Sequence, residues 1–473
     1  MPPTTLPPLV APLLRRSLVI ATLAWALTAL SAGAPSLVFE DDAYFYLQIA
    51  WNLSHGLGAS FDGQHVTSGF HLLWMTVLTP LAWLTWTLGF GKATFAGVAA
   101  AAALTLVAVT ALQGFHSTRE RLFVLVLSLF CGLTMEGVLL TALLLPLAQA
   151  FLGTRRLGRV AIGALCVLVP LARIDYAWVA PALAVAAVLD ADDQAPFPWP
   201  PVVLGTVLGI GLYVGIECAL FDHWTSISSV YKADLLSENG VDWLVVENTR
   251  KYGNQMRYLM LAAMATLVWR VPSAERRRAT VLVGIALIPV LIHTGTNLIR
   301  DWYFLAPLVL MLGAASHVRH TRSVHWPRLV VAQTVLVVAA SIGYLAVNAG
   351  DWQRARAFVR AANRVLPADA RVYQIDGAGF SGWWLSAPVV NGDGLVNSWR
   401  YRERWLRNDL GTYLQDTGAT HVVINDEDPP IEYHGLRLTP DMVTTVADSG
   451  PMRNPHARLR LLRLNDARVS AAR

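Results

Sequence analysis

Residues 39–63 read FEDDAYFYLQIAWNLSHGLGASFDG. Three consecutive acids, Glu40, Asp41 and Asp42, follow directly on an apolar run at 17–38 and precede the aromatics Tyr44, Phe45, Tyr46 and Trp51. Carboxylates are costly in hydrocarbon, so the acids mark the point where a membrane helix has ended. The rest of the chain supports that reading. Of its 473 residues 55% are hydrophobic and 15% charged, whereas soluble domains carry about 25% charged residues. Mean hydropathy is +0.45. Apolar runs at 17–38, 71–90, 94–113, 137–152, 158–173, 176–190, 201–220, 258–270, 279–297, 302–317 and 328–347 each read as a span. The expectation is a polytopic α-helical membrane protein with about eleven spans, and at most about thirteen. The first run is too long, and too poor in a cleavage site, to read as a removable signal peptide. Cys131, Cys166 and Cys218 lie in or beside apolar segments, so no disulfide framework is expected. No internal repeat and no nucleic-acid motif is present.

Lys and Arg in short loops set the sides of the membrane. Arg15–Arg16 precede the first run and place the N-terminus in the cytoplasm. With about eleven spans, the clusters Arg155–Arg156–Arg159, Arg276–Arg277–Arg278 and Arg319–His320–Arg322–Arg328 fall on the same side. That count requires the further apolar piece 121–134 to enter without crossing, held by protein rather than lipid. The acidic loop 39–70, the loop 221–257, the turn at Arg300–Asp301 and everything from about 350 onward then lie outside. Residues 1–349 are expected to form the membrane part, and 350–473 a small extracytoplasmic α/β domain. Within it, helices are expected over 352–365 and 400–418, strands over 371–376 and 421–425, and Gly-rich turns over 389–398.

Several short stretches on that outer side could carry chemistry. Asp41 and Asp42 lie at the depth of a base that meets both lipid and water, with Glu40 in support. The plain alternative is a solvated acid cluster beside an aromatic membrane belt. TSGFHLLW (67–74) contributes His71, as a ligand or a packing histidine. WTSISSVYKADL (224–235) sets Lys232 among hydroxyls, suited to a phosphate or to snorkelling towards headgroups. NLIRDWYFLAPL (297–308) offers Arg300, Asp301 and Tyr303, with Arg300 able to clamp a phosphate. Glu136 in GLTMEGVLL and the pair Arg173 and Asp175 in LARIDYAWV interrupt apolar segments. Mutual pairing that fixes helix packing is the structural alternative for these three. HExxH, P-loop and GxSxG patterns are absent from the sequence.

Taken in order, EDD-AYFYLQIAWNL, SFDG, TSGFHLLW, TMEG, ARID, SISSVYK and RDWYF, with DGAGF and NGDGLVN in the tail, resemble the GT-C superfamily of membrane glycosyltransferases. The resemblance is nearest to bacterial relatives of protein mannosyltransferases and aminoarabinose transferases, and covers about 37–425. It implies a polyprenyl-phosphate sugar donor, inversion at the anomeric carbon, and a glycan, lipid or protein acceptor at the outer face of the bacterial inner membrane. It implies a base at Asp42 or Asp41, with Asp42 preferred, and donor-phosphate contacts at Lys232, Arg300 and Tyr303. Some members use a divalent metal, and the sequence leaves that open. RID stands where an RPD-like run is expected, and prolines expected in TSGFHLLW and SISSVYK are absent. Two other classes remain: a transporter or flippase, which would set polar groups at mid-depth, and a non-catalytic envelope assembly protein, which would tolerate loss of Asp41 and Asp42.

Overall fold

The computed structural model describes residues 39–189, 198–239, 252–269, 273–295, 300–321, 350–425, 429–451 and 458–465. The expected spans 17–38 and 328–347 lie outside them. The described chain is mostly helical and carries a mixed sheet near its C-terminus. Among the described residues three helices are long and apolar enough to cross a membrane: Lys92–Gly114, Trp199–Phe221 and, within Ser273–Gly295, the segment Arg277–Thr294. Leu72–Thr87, Gly137–Phe151, Arg159–Ala172, Ile174–Leu189 and Trp302–His317 are shorter apolar helical segments. The helix Thr118–Phe130 occupies the piece expected to stop short. Its 13 residues rise about 20 Å, less than the roughly 30 Å of a hydrocarbon core. It ends where Gly132 takes φ +73, a left-handed turn that a side chain resists.

Helix Arg159–Ala172 packs closely along Trp199–Phe221, and the sequence explains how. Gly205 and Gly209 are one turn apart on the same face, a spacing that lets backbones approach. A Cβ at Gly205 would sit 2.4 Å from the Gly163 carbonyl oxygen, and one at Gly209 2.5 Å from that of Val167. Gly211 faces open space. Gly205→Leu is therefore expected to lower the thermal midpoint in detergent by several degrees, an overpacking cost of roughly 1–3 kcal/mol. Gly211→Leu on the open face serves as control. Equal midpoints for the two variants would contradict this packing.

The sheet is built from β1 (Val372–Gln374), β2 (Val389–Asn391), β3 (His421–Asn425), β6 (Val443–Asp448) and β7 (Leu459–Leu464) in the order β2-β1-β3-β7-β6. β2, β1 and β3 run parallel, and β7 and β6 are antiparallel additions. β4 (Ile431–Tyr433) and β5 (Leu436–Leu438) form a separate hairpin. A helix covers 350–365, as expected. The single helix expected over 400–418 is two, Trp399–Leu406 and Leu410–Asp416. Asn408 breaks it by taking φ 52, and Ser398 caps the first piece by accepting the Tyr401 N–H. The stretch 389–398, expected as turns alone, begins with β2, where Val389 and Val390 are buried. Tyr373, Tyr401, Tyr413, Trp405 and Val422 pack beneath this sheet.

Candidate active site

The acidic stretch opens the helix Asp41–Ser54, with Glu40 as an extended N-cap residue. The loop behind this helix is fastened by side chains. Asn52 donates to the Ser60 and Phe61 carbonyls at 2.8 and 3.0 Å. Asp62 accepts the Gln64 and His65 N–H groups at 2.9 and 2.8 Å. Lys92, at the start of the next long helix, donates to Gln48 at 2.7 Å. The later turns of the helix are thus held in place, and a helix N-terminus favours carboxylates in its first turn.

The two aspartates have different surroundings. Asp41 accepts the backbone N–H groups of Gly379 and Phe380 at 3.0 and 2.7 Å, at the start of the tail helix Ala378–Trp384. The approach requires glycine, since a Cβ at 379 would lie 2.0 Å from the Asp41 carbonyl oxygen. Burial pushes the Asp41 carboxyl up to about 7, against the pull of those two N–H groups. Asp42 accepts no hydrogen bond among the described residues. Burial raises its pKa as well, and the charges of Lys232 and then Arg300 hold it down.

A chain of polar contacts runs alongside. Glu136, 1% exposed, accepts the Tyr46 hydroxyl at 3.1 Å and Arg173 at 2.7 Å. His71 lies 3.4 Å from the same carboxylate. Arg173 turns its other face to Asp175, donating twice at 3.0 and 2.7 Å. Asp175 lies 3.1 Å from His293 Nε2. The His293 ring stacks on Tyr303 at 4.1 Å, and the Arg173 guanidinium sits 4.4 Å from the Tyr303 ring centre. Lys232 donates to the Tyr303 hydroxyl at 3.2 Å. Arg300 is exposed, and its charge acts on Asp42. The Asp301 side chain lies outside what is described.

Asp42, Lys232, Tyr303, Glu136, Arg173, Asp175 and His71 therefore meet in one region, with Arg300 joined to it through its charge on Asp42. Glu40 stays at the helix cap. Two participants went unread in the sequence. His293 looked like part of an apolar run, although a histidine inside such a run is itself a signal. Tyr46 looked like a member of an aromatic belt. Among the described residues no three His, Cys, Asp or Glu side chains gather closely enough to hold a metal ion, so no step is assigned to one.

The tail closes over this region. A Cβ at Gly69 would lie 2.0 Å from the Leu395 carbonyl oxygen, and one at Gly394 2.7 Å from the Tyr231 ring. Arg402 grips Asp234 at 2.6 and 3.1 Å.

This arrangement of apolar helices, acidic helix and mixed C-terminal sheet matches the fold of ArnT over nearly the whole chain. The structure is similar to ArnT from Cupriavidus metallidurans in the apo state, with TM-score 0.53 and 14% identity, covering 94% of this chain and 98% of that one. Against ArnT bound to undecaprenyl phosphate the TM-score is 0.50 at 12% identity, covering 97% and 99%. The arabinofuranosyltransferase AftD from Mycobacteria gives 0.38 at 16% identity, covering 96% of this chain and 42% of that one. No protein-family model and no curated protein matches the sequence. At such identities the likeness defines an ArnT-like fold.

Proposed function

We propose that the chain is an inverting glycosyltransferase that moves a sugar from a polyprenyl phosphate to a hydroxyl acceptor at the outer face of the bacterial inner membrane. Residues 1–349 form its membrane part, with the N-terminus cytoplasmic, and 350–473 its extracytoplasmic domain. The observation that carries this reading is Asp42. It is a carboxylate without a hydrogen-bond partner among the described residues, set between its more committed neighbour Asp41 and the cations Lys232 and Arg300. An ArnT structure with bound undecaprenyl phosphate supports the donor class.

Asp42 takes the proton of the acceptor hydroxyl. The oxygen attacks the anomeric carbon from the face away from the phosphate, and the bond from carbon to phosphate oxygen breaks. Polyprenyl phosphate leaves with the electron pair, its new charge met by Lys232, Arg300 and the Tyr303 hydroxyl. Arg173 supports the Tyr303 ring. Asp41 positions Asp42 by tying the first turn of its helix to the tail.

The test is transfer of radiolabel from synthetic polyprenyl-phosphate sugars in membranes holding the protein. No transfer and no binding from any arabinosyl, mannosyl, glucosyl or aminosugar donor would overturn the reading. A pH profile adds a sign. Asp42 must be ionised to work, so transfer falls on acidification, at a higher pH than an ordinary carboxylate would set. Lys232 is the first charge holding that pKa down, so Lys232→Met is expected to move the acid limb to higher pH as well as to slow transfer. An unmoved limb would separate Lys232 from Asp42.

A further inference from the structure

The parallel strands β2, β1 and β3 end on one side of the sheet, and the residues at those ends are polar. Gln374, Asp376, Asn391, Asp393 and Asn425 all fall there. The chain leaves β1 for a neighbour on one side and returns to a neighbour on the other. In open α/β sheets such a reversal leaves a crevice at the carboxyl ends where ligands bind. Gln374 donates to the carbonyls of Asp376 and Gly377, both at 2.8 Å, and Asn425 donates to the Asp376 carbonyl at 3.1 Å. This loop's backbone is pinned while the Asp376 side chain stays exposed, with no partner among the described residues.

Two further observations point to a ligand. Asn391 is 2% exposed, yet among the described residues neither atom of its amide reaches a partner in good hydrogen-bond geometry, and Gln374, fully buried, leaves Oε1 without one there. Buried polar atoms in native folds are nearly always paired. The Asn391 amide nevertheless lies close enough to Asp393 to favour its charged form. Asp393 accepts the Leu395 N–H at 2.9 Å and interacts with both Asp376 and Asp42. Burial first, then Asp376 and Asp42, hold its carboxyl well above the usual range. The tail thus brings carboxylates to the base, whereas Lys232 and Arg300 bring cations.

We infer that this crevice holds the acceptor and that the acceptor is a neutral, hydroxyl-rich glycan rather than a phosphorylated one. The inference rests on the transfer reaction proposed above and adds the chemistry of its second substrate. Carboxylates accept paired sugar hydroxyls, and the unpaired amides supply further donors and acceptors. A phosphate would meet like charge at Asp376. An acceptor hydroxyl seated here is delivered to Asp42.

The experiment is saturation-transfer NMR on the full chain in nanodiscs. The probes are neutral arabinan, mannan and glucan oligosaccharides and the same fragments carrying a terminal phosphate. At least one neutral fragment is expected to bind, and its phosphorylated form to bind about tenfold more weakly or less. Asp376→Asn with Asp393→Asn should weaken the neutral fragment about tenfold and narrow the gap to the phosphorylated one. Asp376→Asn alone, at an exposed side chain, guards against misfolding and should show the same direction. Preference for the phosphorylated fragment, indifference to these substitutions, or no neutral fragment bound would each overturn the inference. Release of polyprenyl phosphate from synthetic donor is measured in parallel. If release occurs and needs Asp42 while neutral fragments fail to bind, the acceptor inference alone falls. If fragments bind but no donor is consumed, the transfer reaction falls and the acceptor role with it.

Discussion

Asp42→Asn is expected to lower sugar transfer about 10³-fold while leaving expression and thermal midpoint near those of wild type. A positioned general base contributes roughly 10²–10⁴ in rate, and asparagine keeps the shape while removing the proton acceptor. Asp42 makes no hydrogen bond among the described residues, so little structure depends on it. Asp41→Asn should behave differently. It removes a carboxylate that accepts two N–H groups from the tail, so its loss of activity should accompany looser docking, seen as faster proteolysis near 379. If Asp42→Asn transfers sugar as wild type does, the base is elsewhere and an assembly role gains ground.

Arg173→Met is expected to be the most damaging substitution for stability. Arg173, 3% exposed, joins Glu136 and Asp175. Removing one partner of a buried pair strands the other, at a cost of roughly 3–5 kcal/mol. Two carboxylates and the stacked face of Tyr303 lose their support together. Glu136→Gln in the same chain removes one stranded charge and should restore part of the loss. Thermal midpoints in detergent for both single variants and the double variant measure this coupling. A loss under about 1 kcal/mol, typical of exposed pairs, would show the network to be solvated.

The helices were legible because long apolar runs leave little choice of structure in a membrane, and the described helix limits fall near the expected ones. The acidic stretch was legible as a candidate site because three carboxylates in sequence are costly in hydrocarbon. Its division of labour was not. Adjacent aspartates on a helix point in different directions, and which one meets Gly379 depends on a contact made by the tail. The split of 400–418 turned on one residue, Asn408, tolerating a left-handed backbone. The sheet was half readable: β1 and β3 are apolar, but Thr-rich β6 and Arg-bearing β7 have exposed positions that mask their period. Pairing of Glu136 with Arg173 was open from sequence, since charges in separate spans carry no register with each other.

The bond between Asp41 and Gly379 also says something about biosynthesis. The two residues are 338 positions apart. At roughly 5–20 residues per second, the ribosome takes on the order of tens of seconds to travel between them. The acidic helix is made early and stays without its tail donors for that interval. Most of the apolar helices are therefore made before the first turn of the helix that carries Asp42 gains its contact with the tail.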